Sequence, residues 1–236
     1  MSGALVLSPV GDELLDDPAA DPRTVAASLR DIAVANRWLG GTRAALHGIA
    51  RVLHGVPHGS RVTLLDLGTG HGDVPRAAVR WGRRRGIEIV PIGLELSAVA
   101  ARLAVRAGVH TAVADVAAPP IRERSVDVVL LSQVAHHFSH ESLGGLARAC
   151  DALARRGVVI ADLRRSAIAA IGFRIGASVL GFDPVTRLDG VTSIRRGFTR
   201  PGLARLLGDA GIDARVERRP GFRLVASWRS LPAPPR

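Results

Sequence analysis

Apolar and polar positions come in blocks along this chain, and the period of the blocks changes. From Val25 to Leu53 the apolar residues Leu29, Ile32, Ala33, Leu39, Leu46, Ile49, Ala50 and Leu53 recur at helical spacing, with Gly40-Gly41 between them. That predicts two helices with a bend, Thr24 capping the first and Gly55 to Gly59 closing the second. Residues 61–67 are instead a short, nearly continuous apolar run, as in a strand covered on both faces. Similar runs lie at 87–94, 109–114, 126–132 and 157–163. Amphipathic helical stretches separate them at 73–85, 97–107 and 143–155, with Pro75 in the first turn of one and Ser97 capping another. Strand and helix in alternation imply a parallel sheet with helices on both faces.

After Leu163 the pattern shifts. Residues 165–180 are apolar and helical in character, and a loop is expected around Asp183-Pro184 and Asp189-Gly190. Thr199-Arg200-Pro201 opens a helix through Leu207. Residues 214–217 and 222–228 flank Pro220-Gly221, a hairpin signal. The expected fold class is therefore α/β, a doubly wound seven-stranded sheet, mostly parallel with a C-terminal antiparallel hairpin. Its expected divisions are an N-terminal arm with cap helices (1–55), a main domain (56–230) with an inserted cover segment (164–198), and a proline-rich tail (231–236).

Composition narrows the classes. The chain has 236 residues, 47% of them hydrophobic, within reach of one α/β domain with additions. Cys150 is the single cysteine, which excludes an internal disulfide and a CxxC metal site and suits a reducing cytoplasm. No basic, apolar leader opens the sequence, and no run nears the roughly 20 apolar residues of a membrane span. The expected location is cytoplasmic. The net charge of +11 comes from arginine alone, since lysine is absent. The arginines are scattered, with short clusters at 83–85, 195–196 and 218–219, and aromatic residues are few. A solvated basic surface fits better than a nucleic-acid platform.

The richest stretch is Leu64-Leu65-Asp66-Leu67-Gly68-Thr69-Gly70-His71-Gly72-Asp73. A strand, a glycine turn and a helix N-terminus together make a nucleotide-type site. The dinucleotide fingerprint is G-x-G-x-x-G, but here the spacing is G-x-G-x-G behind an acid, Asp66. The stretch resembles the first motif of class I S-adenosylmethionine-dependent methyltransferases, whose fold is Rossmann-like. Glu95, roughly twenty residues on, stands where an acid takes ribose hydroxyls, within a Gly93-Leu94-Glu95-Leu96-Ser97 motif. Asp115 after the third strand resembles the acid that meets the adenine amino group. Val126-Asp127, then Ser132-Gln133-Val134-Ala135-His136-His137-Phe138, resemble the fourth-strand motif of small-molecule methyltransferases, including those of quinone biosynthesis.

The resemblance implies S-adenosylmethionine as cofactor, held by Asp66, Gly68, Thr69, Gly70, His71, Gly72, Glu95, Leu96, Asp115, Val116, Ser132 and Gln133. A phenolic acceptor, with a pKa near 10, must lose a proton, so a base is needed. His137 is the favoured candidate and His136 the second; each has an alternative role in packing or loop structure. A metal is not expected, because no carboxylate or cysteine stands at ligand spacing from His136, His137 and His140. Ser28-Leu29-Arg30-Asp31-Ile32, Asn36-Arg37-Trp38-Leu39-Gly40-Gly41, Asp162-Leu163-Arg164-Arg165 and Arg187-Leu188-Asp189-Gly190 more loosely resemble bacterial methyltransferases found beside type III polyketide synthases. They imply a small aromatic or polyketide acceptor, with Arg37, Trp38, His140, Arg164, Phe173 and Arg187 at its site. Phe182 and Phe198 are further apolar candidates. Alternatives are an RNA methyltransferase, against which the missing Asn/Asp-Pro-Pro-aromatic motif speaks, and a non-catalytic cofactor-binding partner. The sequence leaves monomer or homodimer open.

Overall fold

The computed structural model describes residue 13 and residues 20–230. Seven strands form one sheet: β1 Arg61–Leu67, β2 Glu88–Glu95, β3 His110–Val113, β4 Val126–Ser132, β5 Ala154–Leu163, β6 Arg215–Arg219 and β7 Arg223–Arg229. The order is β3-β2-β1-β4-β5-β7-β6. β1 pairs in parallel with both β2 and β4, and β7 runs antiparallel to both β5 and β6. The order reverses between β1 and β4, so the crevice for a ligand opens above their carboxyl ends.

The helices are α1 Pro22–Trp38, α2 Gly41–Val52, α3 Asp73–Arg83, α4 Ala98–Arg106, α5 His140–Leu153, α6 Ala167–Val179, α7 Pro184–Arg196 and α8 Arg200–Asp209. Successive strand residues point to opposite faces, and two buried layers result. Leu65, Leu67, Val129, Leu131, Val158 and Ile160 face α5 and α8. Val62, Leu64, Val128, Leu130, Val159 and Ala161 face α2 and α3. Burying each Val, Leu or Ile contributes about 1.5–3 kcal/mol, so the central strands are a firm base for whatever their ends carry. Among the described residues no helix is long and apolar enough to cross a membrane.

The expected two helices, the strand at 61–67, the strand at 126–132 and the hairpin over Pro220-Gly221 are present. Three local expectations are corrected. The loop expected near Asp183 and Asp189 is mostly helix α7. Asp183 is its N-cap, accepting from the Val185 amide at 2.9 Å, with Pro184 in the first turn. Gly190 sits mid-helix because a Cβ there would lie 2.2 Å from the Phe173 ring, so packing on α6 and not a turn demands glycine. The cap of α1 is Asp21, accepting from the Arg23 and Thr24 amides, one turn ahead of the expected Thr24. β5 starts at Ala154, within the stretch expected to be helical, because Ala154 pairs with Val126 before a register shift. Of the expected arm only Glu13 and residues 20–22 are described, and the tail at 231–236 lies outside the described residues.

Candidate active site

A cavity of about 640 Å³ opens at the carboxyl edge of β1, β2, β4 and β5, covered by α1, α6 and α7. One end is the glycine turn. Gly68 and Gly70 have φ of +73° and +52°, a region costly for any residue with a Cβ. At Gly68 a Cβ would also lie 2.5 Å from Val134. The turn is pinned by the Gly68 amide donating to the Leu94 carbonyl at 2.8 Å.

Three carboxylates surround this turn. Asp66 is buried at the end of β1; one oxygen accepts from the Thr69 hydroxyl at 3.0 Å and the other, Oδ1, has no hydrogen-bond partner. Burial, with the charges of Asp73 and Glu95, pushes its carboxyl up to about 8 against the Thr69 bond. Burial likewise raises Asp73 and Glu95. Glu95 accepts from the Gly70 amide at 2.8 Å and the Ser97 amide at 3.2 Å, which bridges β2 to the turn. Three crowded carboxylates and an orphaned buried oxygen need positive charge and hydrogen-bond donors. A ligand with an ammonium, a sulfonium and ribose hydroxyls supplies both, so the residues fit S-adenosylmethionine.

Beside the turn runs a polar network. Asn36 of α1 donates to Asp73 at 3.2 Å, and the Gln133 side-chain amide donates to the Asn36 side-chain oxygen. Arg223 donates to the Gln133 oxygen at 2.7 Å and to the Leu39 carbonyl at 3.3 Å. Gln133 has φ of +58°. Strain of this kind persists where surroundings over-determine it and clusters at functional sites. Burial pulls the Arg223 guanidinium down to about 10, against the charge of Asp162.

The histidines follow β4 on a short 3₁₀ turn, Ala135–His137. His136 is buried, and its Nδ1 lies 2.7 Å from Asp162 Oδ1 at the end of β5. Asp162 also accepts from the His136 amide at 3.2 Å and the Leu163 amide at 2.6 Å. Burial alone raises the Asp162 carboxyl. The charge and hydrogen bond of His136, the Leu163 amide and the charge of His137 together outweigh burial and hold it below the usual range. In the neutral imidazole the carboxylate fixes the proton on Nδ1, so the lone pair is on Nε2, a buried atom without a hydrogen-bond partner.

Glu13 faces both histidines, 3.7 Å from His136 Nε2 and 4.0 Å from His137 Nε2. It thereby supplies the carboxylate that the sequence lacked at ligand spacing, and the ligand atoms of Glu13, His136 and His137 lie within 4.8 Å of one another. The hydrogen bonding opposes a metal. Glu13 Oε1 already accepts from Arg196 Nη1 at 3.2 Å and from the Ser193 hydroxyl at 2.8 Å. Arg196 Nη1 also lies 3.4 Å from His137 Nδ1. A guanidinium can only donate, so neutral His137 carries its proton on Nε2 and has no lone pair for an ion there.

Of the residues expected around the cofactor, Asp66, Gly68, Thr69, Gly70, His71, Glu95, Leu96, Val116, Ser132 and Gln133 line the cavity. Gly72 is instead the cap of α3, and Asp115 turns to the Ala117 amide at 2.8 Å, outside the lining. His136, His137 and Phe173 also line it, joined by Phe182. The other expected acceptor residues stand elsewhere. Trp38 is exposed under the Arg37 guanidinium, His140 is exposed at the start of α5, and Arg164 lies over the Phe222 ring. Arg187 lies on α7, outside the lining, and Phe198 belongs to the core. Asp127 ties β4 to Thr63 at the opposite edge of the sheet. Sequence reasoning did not single out Glu13, Arg196 or Arg223, and Asn36 and Asp73 stood only within longer motifs. Asp162 was legible only as part of a motif, although a carboxylate at the end of a central strand is the same signal as Asp66 and Glu95.

Residues 65–161 match the family model described as a methyltransferase domain. No curated protein matches the chain. Among solved structures, a SAM-dependent methyltransferase from Aquifex aeolicus has a TM-score of 0.58 at 15% identity, covering 89% of this chain and 99% of that one. Human N-acetylserotonin methyltransferase in complex with SAM gives 0.59 at 14%, covering 94% of this chain and 63% of the human one. TnmH gives 0.62 at 23%, with 94% and 62% covered. These likenesses share the fold. The family match covers residues 65–161, which run from within β1 through most of β5 and hold the glycine turn whose acids fit S-adenosylmethionine.

Proposed function

We propose that this chain is an S-adenosylmethionine-dependent methyltransferase that methylates a hydroxyl of a small aromatic, polyketide- or quinone-like acceptor, with His136 as the base. The observation that carries this reading is the buried Asp162–His136 pair at 2.7 Å, of which His136 lines the cavity and Asp162 lies outside the lining. It is the arrangement in which a carboxylate orients an imidazole to take a proton. The wall beyond it is apolar, formed by Leu29 and Ile32 of α1, Phe173 and Ala177 of α6, and Phe182, and suits a flat or aliphatic acceptor. His137, bonded through Nδ1 to Arg196, is left to position the Glu13 side of the wall.

When bound, the cofactor supplies a methyl group on a sulfonium sulfur, and the thioether that leaves is neutral. The chain's own task is to hold the acceptor oxygen in line with that methyl and to take the hydroxyl proton. The proton passes to His136 Nε2, and Asp162 stabilises the imidazolium that forms. The same base serves an activated carbon acceptor. The test is methyl transfer from labelled S-adenosylmethionine to a panel of phenols and polyketide-like hydroxyl compounds, with products placed by NMR. An O-methyl product is expected. Turnover on RNA alone, with a salt-sensitive mobility shift, or cofactor binding without transfer to any of the panel, would overturn the reading.

A further inference from the structure

The cover helix α6 has an outer face that the transfer reaction does not use. Ile168, Ile171, Ile175 and Val179 are 74%, 62%, 61% and 81% exposed. At 3.6 residues per turn they fall within an arc of about 80°. The opposite face of the helix is used in packing: Ala169, Ala170 and Ala177 are buried, and Phe173 packs with them. A soluble surface shows single apolar side chains but seldom a row of four aliphatic ones on one helix. Leu180 and Leu188 add to the exposed aliphatic surface of the same segment.

Among the described residues of the cover segment, the exposed charges are of one sign. Residues 164–198 carry Arg164, Arg165, Arg174, Arg187, Arg195 and Arg196. Their only acids are Asp183, which caps α7, and Asp189, which is buried. Arg165, Arg174 and Arg195 are exposed, and Arg174 flanks the row on α6 itself. A second copy of the chain would place these arginines opposite their own kind with no exposed carboxylate of the segment to pair with. A bilayer with anionic headgroups offers the reverse: hydrocarbon for the aliphatic row and negative charge for its rim. The helix is about 20 Å long, too short to span but long enough to lie in the interface.

We propose that the outer face of α6 docks on an anionic lipid surface. Ile168 and Leu180 are both exposed and part of the cavity lining, so they stand at its rim. Docking there brings the opening against the bilayer, into which an acceptor of the apolar class proposed above would partition. The proposal is independent of which histidine is the base.

The test is co-sedimentation of the full chain with vesicles of phosphatidylcholine alone and of phosphatidylcholine with phosphatidylglycerol. Tight binding to the anionic vesicles is expected, weakened by salt. Ile171→Glu with Ile175→Glu, neither of which lines the cavity, should reduce that binding by about tenfold or more and leave cofactor affinity and turnover on a soluble acceptor unchanged. Arg174→Glu should weaken binding to the anionic vesicles only. Four outcomes would overturn the proposal. They are no binding to either vesicle, equal binding to both, undiminished binding by the double variant, and a concentration-dependent dimer that the double variant abolishes in the absence of lipid binding.

Discussion

Replacing Asp162 with asparagine removes one charge and almost no volume, which makes it the sharpest probe of the proposed base. In the native protein the carboxylate holds His136 Nδ1 at 2.7 Å and accepts the His136 and Leu163 amides. The side-chain amide introduced by Asp162→Asn retains one oxygen. If that oxygen faces Nδ1, the tautomer survives but the imidazolium loses its counter-charge. If the NH₂ faces Nδ1, the imidazole is held with its proton on Nε2 and cannot act as a base. Breaking one side of a buried charged pair costs about 3–5 kcal/mol, and each 1.36 kcal/mol is about tenfold in rate. A general base contributes only about 10²–10⁴ in all, so the expected loss in kcat is about 10²–10³-fold. His136→Gln should lose about as much, and the double variant little more, because the pair acts as one unit. The assay is kcat and KM on two acceptors of similar shape, one an ordinary phenol and one acidic enough to be ionised already. The ionised acceptor needs no base and should lose far less. Cofactor affinity by calorimetry should stay within about twofold, since neither group touches the glycine turn. Turnover of Asp162→Asn within a few-fold of native, or equal losses on both acceptors, would refute the reasoning; the latter marks a merely structural pair.

Other predictions follow from single features. Gly70→Val, at φ +52°, should lower cofactor affinity by at least about 1–3 kcal/mol of backbone strain, visible as a tenfold or larger rise in Kd. Asp66 is raised to about 8 in the folded chain, above the ordinary carboxyl value near 4. The native state therefore holds a proton that the unfolded chain has lost, and the stability of the ligand-free protein should fall as pH rises toward and through about 8. A cofactor ammonium favours the ionised carboxylate, so binding below pH 8 should release a proton, read from calorimetry in buffers of different ionisation enthalpy; Asp66→Asn should abolish the release. Asp183→Ala removes the cap of α7 and should cost about 1 kcal/mol in denaturant unfolding. Leu130→Ala, at a fully buried position of β4, should cost about 2–5 kcal/mol.

The parts of this fold that were legible in the sequence are those set by short-range physics. Continuous apolar runs marked β1 and β4, and the glycine spacing marked the turn after β1. What was not legible depended on partners distant in the chain. Gly190 read as a turn residue because its reason, the Phe173 ring, is on another helix. The acceptor residues chosen from local motifs fared unevenly for the same reason. Phe173 faces the cavity, while Trp38 and Arg37 pack on each other at the surface. Glu13, Arg196 and Arg223 could not have been placed by spacing. Glu13 meets Arg196 across 183 residues of chain, and Arg223 meets Gln133 across 90.

The distribution of charge along the sheet edge favours the proposed placing of the base after β4 over one in the glycine turn. The chain carries a net +11, yet the β1 and β2 ends of the cavity hold Asp66, Asp73 and Glu95. The β5 and β7 side holds Arg196 and Arg223, with Asp162 and Glu13 each matched to a neighbouring cation or imidazole. A cationic cofactor is drawn to the first side. On our reading its methyl then points away from the acids, toward the end where His136 stands. His71, inside the turn, also has a buried Nδ1 without a hydrogen-bond partner. It lines the same end of the cavity as Asp66, Asp73 and Glu95, the end assigned to the cofactor in the proposed function. On that reading a base in the turn would be separated from the acceptor by the cofactor, which favours the imidazole held by Asp162 as the proposed base.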